Sequence, residues 1–373
     1  MNVFDVADTL VNHLKTNYPD DIAVIAYYGS YAQGTATKRS DLDFFFIPAT
    51  SKGYQASIQF MIGEISFDFW PISWERAERM ASFQEPQTTI IADCKLLYVR
   101  STEDRERFMM LRDTISDLQE PGNGQPFVEK AESELRNAYV HLYKLSRAGG
   151  ADTLTFCRIE GQRVLTKVLQ SLALLNRTFY TKGFGKNKDQ LLQLPLRPAR
   201  LESYMHTIMH GNMTADIFQA CEQLTADTVE LVAAQKAKLF GEPSYPDRMK
   251  GFFEEVMGGL NKIMTACETN DFDTAFFFAV QIQDEIAHFL YFAETGQWPC
   301  LLTTNSAYLD VYKQAGLPEL VSLLDSDDLS KLQAGVTLLS SRLENHLRMK
   351  EVAINRFESV EEFKVFLMQT TEG

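Results

Sequence analysis

Tyr28-Gly29-Ser30-Tyr31-Ala32-Gln33-Gly34-Thr35-Ala36-Thr37-Lys38-Arg39-Ser40-Asp41-Leu42-Asp43 is the stretch that decides the fold. A Gly-Ser pair is followed by ten residues and then by Asp-x-Asp. Ile22-Ala23-Val24-Ile25-Ala26-Tyr27 precedes it and Phe44-Phe45-Phe46-Ile47 follows it. Short apolar runs bounded by turn residues read as buried strands. The pattern predicts a strand, a tight turn of small residues, and a second strand carrying two carboxylates.

Side chains alternate along a strand, so Asp41 and Asp43 share one face, about 7 Å apart, while Leu42 points to the core. Two carboxylates held together repel and lose solvation. A hard divalent cation relieves that cost, and Mg²⁺ is typically held by one or two carboxylates plus substrate phosphates. The turn is complementary. Gly29 permits positive φ or close approach of a phosphate, and backbone N–H groups in such a turn form an anion-binding concavity. Ser30 adds a hydroxyl donor, Lys38 and Arg39 add positive charge, and Ser40 can bond the local backbone.

A third acid is offered by Ile65-Ser66-Phe67-Asp68-Phe69-Trp70-Pro71-Ile72, where Asp68 takes the face opposite Ile65, Phe67 and Phe69. An acid in so apolar a strand is expensive without a partner, and a bound metal would be that partner. Three acids and two metal ions are the arrangement for in-line displacement at phosphorus.

These motifs resemble the nucleotidyltransferase superfamily to which DNA polymerase β belongs. They are most similar to bacterial aminoglycoside and lincosamide nucleotidyltransferases and to minimal nucleotidyltransferases of toxin–antitoxin pairs. The specific match covers roughly residues 20–75. The resemblance implies a mixed sheet of about five strands with flanking helices, and transfer of a nucleoside monophosphate with release of pyrophosphate. It implies that Asp41 and Asp43 ligate metal, and that Asp68 ligates metal or positions the acceptor hydroxyl. Leu174-Leu175-Asn176-Arg177-Thr178-Phe179-Tyr180-Thr181-Lys182 resembles a helical-domain segment of the antibiotic enzymes, placing Arg177 and Tyr180 near the nucleotide. A glutamate opening that domain serves as general base in such enzymes; Glu129, Glu132 and Glu134 are the candidates, and Glu134 is taken. The expected substrates are ATP or another nucleoside triphosphate, with two Mg²⁺ ions, and a small-molecule hydroxyl of aminoglycoside or lincosamide type. A homodimer is compatible with the resemblance. The alternative is an antitoxin-like or AMPylating protein acting on a protein partner.

The 373 residues carry a net charge of −14, with 45% hydrophobic and 23% charged residues. Two or three domains are expected at that length. Nothing forms the basic footprint of a protein whose main substrate is a nucleic acid. An acidic surface suits a cationic acceptor, while solubility is the more ordinary reason for such a charge. No apolar run reaches the ~18 residues needed to span a membrane, and residues 1–20 lack a signal-type apolar core. Five scattered cysteines without a Cys-x-x-Cys fit reduced thiols in a cytoplasm.

The expected fold class is α+β: an N-terminal mixed sheet with flanking helices, then an all-α region, a helical bundle divisible into two subdomains. Expected domains are 1–120, 126–240 and 246–373. A helix is predicted over 3–17, strands near 22–27, 42–47 and 65–72, a helix capped by Ser73, a strand pair or edge over 89–92 and 95–99, and a helix over 102–118. Pro121-Gly122-Asn123-Gly124-Gln125-Pro126 reads as a linker. Helices over Phe127–Ala148 and Asp152–Leu175, broken at Gly149-Gly150 and capped by Asp152 or Thr153, make an antiparallel hairpin. Lys182-Gly183-Phe184-Gly185-Lys186-Asn187-Lys188 is a basic loop that either meets the triphosphate, chiefly through Lys182 and Lys188, or is a solvated turn. Gly241-Glu242-Pro243-Ser244-Tyr245-Pro246 is a second break. The aromatics Phe272, Phe276, Phe277, Phe278, Phe289, Tyr291 and Phe292 read as a core stripe. Arg136 and His141 fit the Arg-x4-His pattern of certain ribonucleases, and on a helix they read as a solvated or interface face.

Overall fold

The computed structural model describes residues 2–148, 154–183, 185–239, 244–296, 298–299 and 306–370. Asn2 accepts a hydrogen bond from the Phe4 N–H at 3.1 Å and opens α1 (Val3–Asn17), which buries Val3, Val6, Ala7, Val11 and Leu14 on one stripe. Then follow β1 (Ile22–Tyr28), a single turn α2 (Gly29–Ala32), β2 (Asp43–Pro48), β3 (Ile58–Ile62) and β4 (Ile65–Pro71). After them come α3 (Trp74–Ala81), α4 (Thr88–Asp93), β5 (Lys95–Val99) and α5 (Thr102–Gln119). The sheet order is β3-β4-β2-β1-β5. β2 and β4 pair in parallel and the other pairs are antiparallel, so the sheet is mixed.

β1 and β2 are central and covered on both faces, which is why they read as unbroken apolar runs. On one face Ile25, Phe44, Phe46, Phe67 and Phe69 pack against α1. Phe46 and Phe69 stack with centroids 4.5 Å apart, a contact worth about 1 kcal/mol beyond burial. On the other face Val24, Ala26, Phe45 and Ile47 meet Ala77, Met80, Phe108, Leu111 and Ile115 of α3 and α5.

Ser73 caps α3 as expected, its hydroxyl accepting the Arg76 N–H at 3.1 Å. Ser73→Ala lowers stability by about 1 kcal/mol, readable as a lower denaturant midpoint with unchanged slope. Residues 89–92 depart from expectation: they lie in helix α4, not in a strand. Their β-branched run mimics a strand, but Thr88 is buried and its hydroxyl donates to the Met80 carbonyl at 2.8 Å, which fixes a helical turn on α3. β3 was not anticipated. It is an edge strand with most residues exposed, so it lacks the alternation that marks a strand.

Pro121–Asn123 forms one 3₁₀ turn rather than an open linker, and α6 (Gly124–Arg136) already includes Pro126 in its first turn, where proline is tolerated. The expected helix over 127–148 is broken at Asn137 into α6 and α7 (Ala138–Ser146). α8 (Leu154–Leu175) runs back along both: Ser171 bonds the Ala131 carbonyl, Lys167 meets Glu134, and His141 meets Glu160. Gly149, Gly150, Asp152 and Thr153, expected to break and cap these helices, lie outside the described residues. α9 (Lys188–Gln193), α10 (Leu201–His210) and α11 (Thr214–Leu239) follow. These elements, with the sheet, form one compact unit over Met1–Gln235.

A second unit spans Lys236–Gly373. Gly241, Glu242 and Pro243 of the expected break lie outside the described residues, and Ser244 caps α12 (Tyr245–Arg248). α13 (Phe252–Glu268) and α14 (Phe272–Thr295) form a hairpin, followed by α15 (Ala307–Gln314), α16 (Ser330–Met349) and α17 (Val360–Thr370). The aromatic stripe is only partly core. α14 buries Ala275, Ala279, Ile282, Ile286, Ala287, Leu290 and Ala293, whereas Phe276 and Phe277 are 43% and 72% exposed. The seam with α13 is tight at one point, where a Cβ at Gly259 would stand 2.2 Å from Ile282, while Phe289 stacks on Phe252 of α13 with centroids 4.4 Å apart. No helix among the described residues is long and apolar enough to cross a membrane.

Candidate active site

The register of β1 and β2 places Tyr28 opposite Asp43. Asp43 is half-buried on the sheet face shared with Asp68 and Tyr28, two residues after Asp41. Burial first, then the charges of Asp41 and Asp68, push the Asp43 carboxyl up to about 6. Burial also pushes the Tyr28 phenol up to about 12, against a hydrogen bond from the Trp70 indole at 3.3 Å and with Asp43, Asp68 and Asp41 adding to the rise. The charges of Asp41 and Asp68 thus both reach the Asp43 carboxyl, at the end of the sheet where the Gly-Ser turn begins, and of the three only Asp43 lines the cavity described next.

Gly29 has φ +74°, and a Cβ there would lie 2.0 Å from Asp43 Oδ2. Glycine is thus required twice, for the left-handed backbone and for the carboxylate that packs on it. Thr35 N–H donates to the Ser30 carbonyl at 2.9 Å and closes the turn. Ser40 bonds the local backbone, accepting the Thr37 N–H at 2.9 Å. Leu42 is fully buried.

A cavity of about 580 Å³, a size suited to a small ligand, opens over this face. Gly29, Ser30, Gln33, Thr35 and Asp43 line one wall; Gln87, Thr89 and Ile90 line another; Gln170, Tyr180, Thr181, Lys182, Gly183 and Lys186 close it. A smaller cavity of about 70 Å³ adjoins it, sharing Pro86, Gln170 and Tyr180, and is lined by Glu134. Lys167 Nζ donates to Glu134 Oε1 at 2.8 Å and Asn137 to Oε2 at 3.3 Å, fixing the carboxylate's direction. Of the other candidates for the base, Glu129 is exposed and Glu132 is buried.

Several expected positions fall elsewhere. Asp68 is exposed, not trapped in an apolar strand, because β4 lies next to the sheet edge; it accepts the Gln59 amide at 2.8 Å. Among the described residues no group of three or more His, Cys, Asp or Glu is gathered closely enough to hold a metal ion unaided. The donors present are nonetheless hard oxygens, and every charge acting on Asp43 is negative. Such a pair fits a Mg²⁺ whose remaining ligands are phosphate oxygens and water. Lys38 and Arg39 are exposed and do not line the cavity. Arg177 ends α8 in a left-handed conformation, φ +50°, its carbonyl accepting from Gln119 at 3.0 Å, also away from the cavity walls. Tyr180 does line the cavity, but its hydroxyl donates to the Leu169 carbonyl at 2.5 Å, so it is a wall rather than a free donor.

Lys182 lines the cavity and Lys188 does not; Lys188 pairs with Glu202 at 2.6 Å and Lys186 takes the wall position. Phe184 lies outside the described residues. Lys188→Ala is therefore expected to leave triphosphate affinity within about twofold, while Lys182→Ala weakens it about tenfold, as titration calorimetry can measure. Gln33, Thr35, Gln87, Thr89, Gln170 and Lys186 were missed as cavity residues. Gln33 and Thr35 lie beside the Gly-Ser turn and Lys186 within the basic loop; Gln87, Thr89 and Gln170 carry no such signal in the sequence.

The ribonuclease pattern is divided: Arg136 is exposed, whereas His141 Nδ1 meets the buried Glu160 at 2.6 Å, with Arg163 and Lys144 around the same carboxylate. Cys94, Cys221 and Cys267 are free thiols, and Cys300 lies outside the described residues.

Comparison with known proteins gives two family matches. Residues 7–72 match the nucleotidyltransferase domain and residues 105–238 match the KNTase C-terminal domain, the helical domain of kanamycin nucleotidyltransferase-like proteins. No curated protein matches. Among solved structures, a nucleotidyltransferase-like protein from Exiguobacterium sibiricum 255-15 aligns at 9% identity and a TM-score of 0.38, over 63% of this chain and 79% of that one.

Proposed function

Since the chain belongs to the DNA polymerase β-like nucleotidyltransferase superfamily, with a KNTase-type helical domain behind its sheet, we propose that it transfers AMP from ATP to a hydroxyl of a cationic small molecule of aminoglycoside type. The observation that carries this reading is the single cavity in which the Gly29–Ser30 turn and Asp43 face Lys182 and Lys186. The Asp43 carboxylate at one wall and two ammonium groups at the other suit a ligand that is both metal-chelating and polyanionic.

Asp41 and Asp43 would hold Mg²⁺, which would neutralise charge at the reacting phosphate. The Ser30 hydroxyl and the N–H groups of its turn bind the phosphate chain. Lys182 and Lys186 offset the charge that develops on the leaving pyrophosphate. Asp68 adds its negative field on the same sheet face. The acceptor enters beside Pro86, Gln170 and Tyr180, where the two cavities meet, and Glu134 takes the hydroxyl proton. Catalysis of this kind is mainly positioning and electrostatics, because the protein forms no bond to the substrate. The net charge of −14 draws a cationic acceptor toward the cleft.

The test is to incubate the protein with Mg²⁺ and each of the four nucleoside triphosphates against pooled aminoglycosides and lincosamides, and to look by mass spectrometry for an acceptor heavier by one nucleoside monophosphate. An adenylylated aminoglycoside is expected. Modification of a protein partner instead, with no small-molecule product, would replace the acceptor in this reading.

A further inference from the structure

The main chain that brings Lys182 into the cavity is fixed by three side-chain amides. Gln190 accepts the Thr181 N–H through Oε1 at 3.3 Å and donates through Nε2 to the Phe179 carbonyl at 2.8 Å. Asn187, only 2% exposed, accepts the Lys182 N–H at 3.1 Å and donates to the Lys182 carbonyl. Both belong to the helical half of the unit. The third is Gln33, whose Nε2 donates to the Thr181 carbonyl across 148 positions of sequence. Gln33 ends the Gly-Ser turn, and its own N–H donates to the Gly29 carbonyl at 3.1 Å. One side chain thus ties the Gly29–Ser30 turn to the segment that carries Lys182, and Gly29, Ser30, Gln33, Thr181 and Lys182 line the same cavity.

We propose that Gln33 is a positioning residue that sets Lys182 against the terminal phosphates of a triphosphate seated on the Gly29–Ser30 turn. The inference rests on the triphosphate reading above. A lysine is a compact charge on a flexible stem, so its contribution depends on where its backbone is held. Gln33 is chosen for that role because no other side-chain hydrogen bond among those described joins the Gly-Ser turn to this segment. Its effect is specific: a ligand without β- and γ-phosphates does not reach Lys182.

The experiment is titration calorimetry on the full chain with α,β-methylene-ATP plus Mg²⁺ and, separately, AMP. Gln33→Leu removes the amide, and Gln33→Glu keeps its length but sets an acceptor against the Thr181 carbonyl. Both are expected to weaken the triphosphate analogue about 3–10-fold, the range of one lost hydrogen bond, with AMP affinity and melting temperature unchanged. In a Lys182→Ala background Gln33→Leu does not weaken the analogue further, whereas Gln33→Glu, whose charge lies in the cavity itself, retains a loss. Equal losses for analogue and AMP, fully additive losses of Gln33→Leu with Lys182→Ala, or no loss at all would each overturn the role of Gln33. Failure of the wild-type chain to bind the analogue would instead overturn the triphosphate reading itself, and the role of Gln33 with it.

Discussion

Asp43→Asn is expected to lower nucleotidyl transfer by roughly three orders of magnitude or more while making the metal-free protein more stable at pH 8. Burial and its two acidic neighbours hold Asp43 at about 6, above its ordinary 3.8. A raised carboxyl resists ionisation in the folded state. Its neutral form costs nothing below about pH 4; stability then falls as pH rises toward 6, and above that the full cost remains. The neutral amide of similar shape escapes this cost, which amounts to about 2 kcal/mol once partial solvent access is allowed for. In the proposed reading the same change also removes a metal ligand, so Mg²⁺ is expected to raise the melting temperature of the wild type at pH 8 and not that of the variant. Thermal melts with and without chelator, at pH 5 and pH 8, check both halves. Retained turnover in Asp43→Asn would remove this carboxylate from the metal site. An unchanged melting temperature at pH 8 would remove the claim that its charge is held at a cost.

Gly29→Ala carries the second large effect. The backbone at φ +74° costs an L-residue about 1–2 kcal/mol, and the new methyl would stand 2.0 Å from Asp43 Oδ2 and 3.0 Å from its Cγ. The carboxylate has to move, and a displacement of about 1 Å at a reacting centre costs roughly a hundredfold in rate. Gly34 supplies the control. Its φ is +70°, but a Cβ there meets nothing within 4 Å. Gly34→Ala is expected to lose a similar 1–2 kcal/mol of stability, yet to keep activity within about threefold. Equal activity losses in the two variants would mean that backbone strain, not the contact with Asp43, is what Gly29 protects.

What was legible in the sequence was local. The Gly29-Ser30 turn, the two apolar runs and the Ser73 cap all rest on neighbours within a few residues, and the structure keeps each of them, whereas β2 begins only at Asp43, so Asp41 precedes the strand on which both carboxylates were expected. What was not legible depended on partners distant in sequence. Thr88-Thr89-Ile90-Ile91 has strand composition, but the Met80 carbonyl and the α3 surface make it a helix. Asp68 was correctly assigned to the face opposite Phe67 and Phe69. Its exposure follows from β4 lying one strand from the sheet edge, which no local pattern reveals. Lys188 and Lys186 differ by two positions in a basic loop. Glu202 draws one to α10 and leaves the other on the cavity wall. The aromatic stripe of α14 was a core signal only in part: Phe289 stacks on Phe252 of α13, whereas Phe276 and Phe277 are exposed and the tight seam at Gly259 is filled by Ile282.

The most direct measurement is pyrophosphate release with Mg²⁺ and each of ATP, GTP, CTP and UTP, against pooled aminoglycosides and lincosamides, with the Asp41→Asn/Asp43→Asn double variant as blank. Release is expected from the wild type only when Mg²⁺, ATP and an aminoglycoside are all present, and is expected to vanish in the double variant. Release that persists in the double variant, or none from the wild type with any triphosphate, would contradict the assignment of this cavity as a nucleotidyl-transfer site.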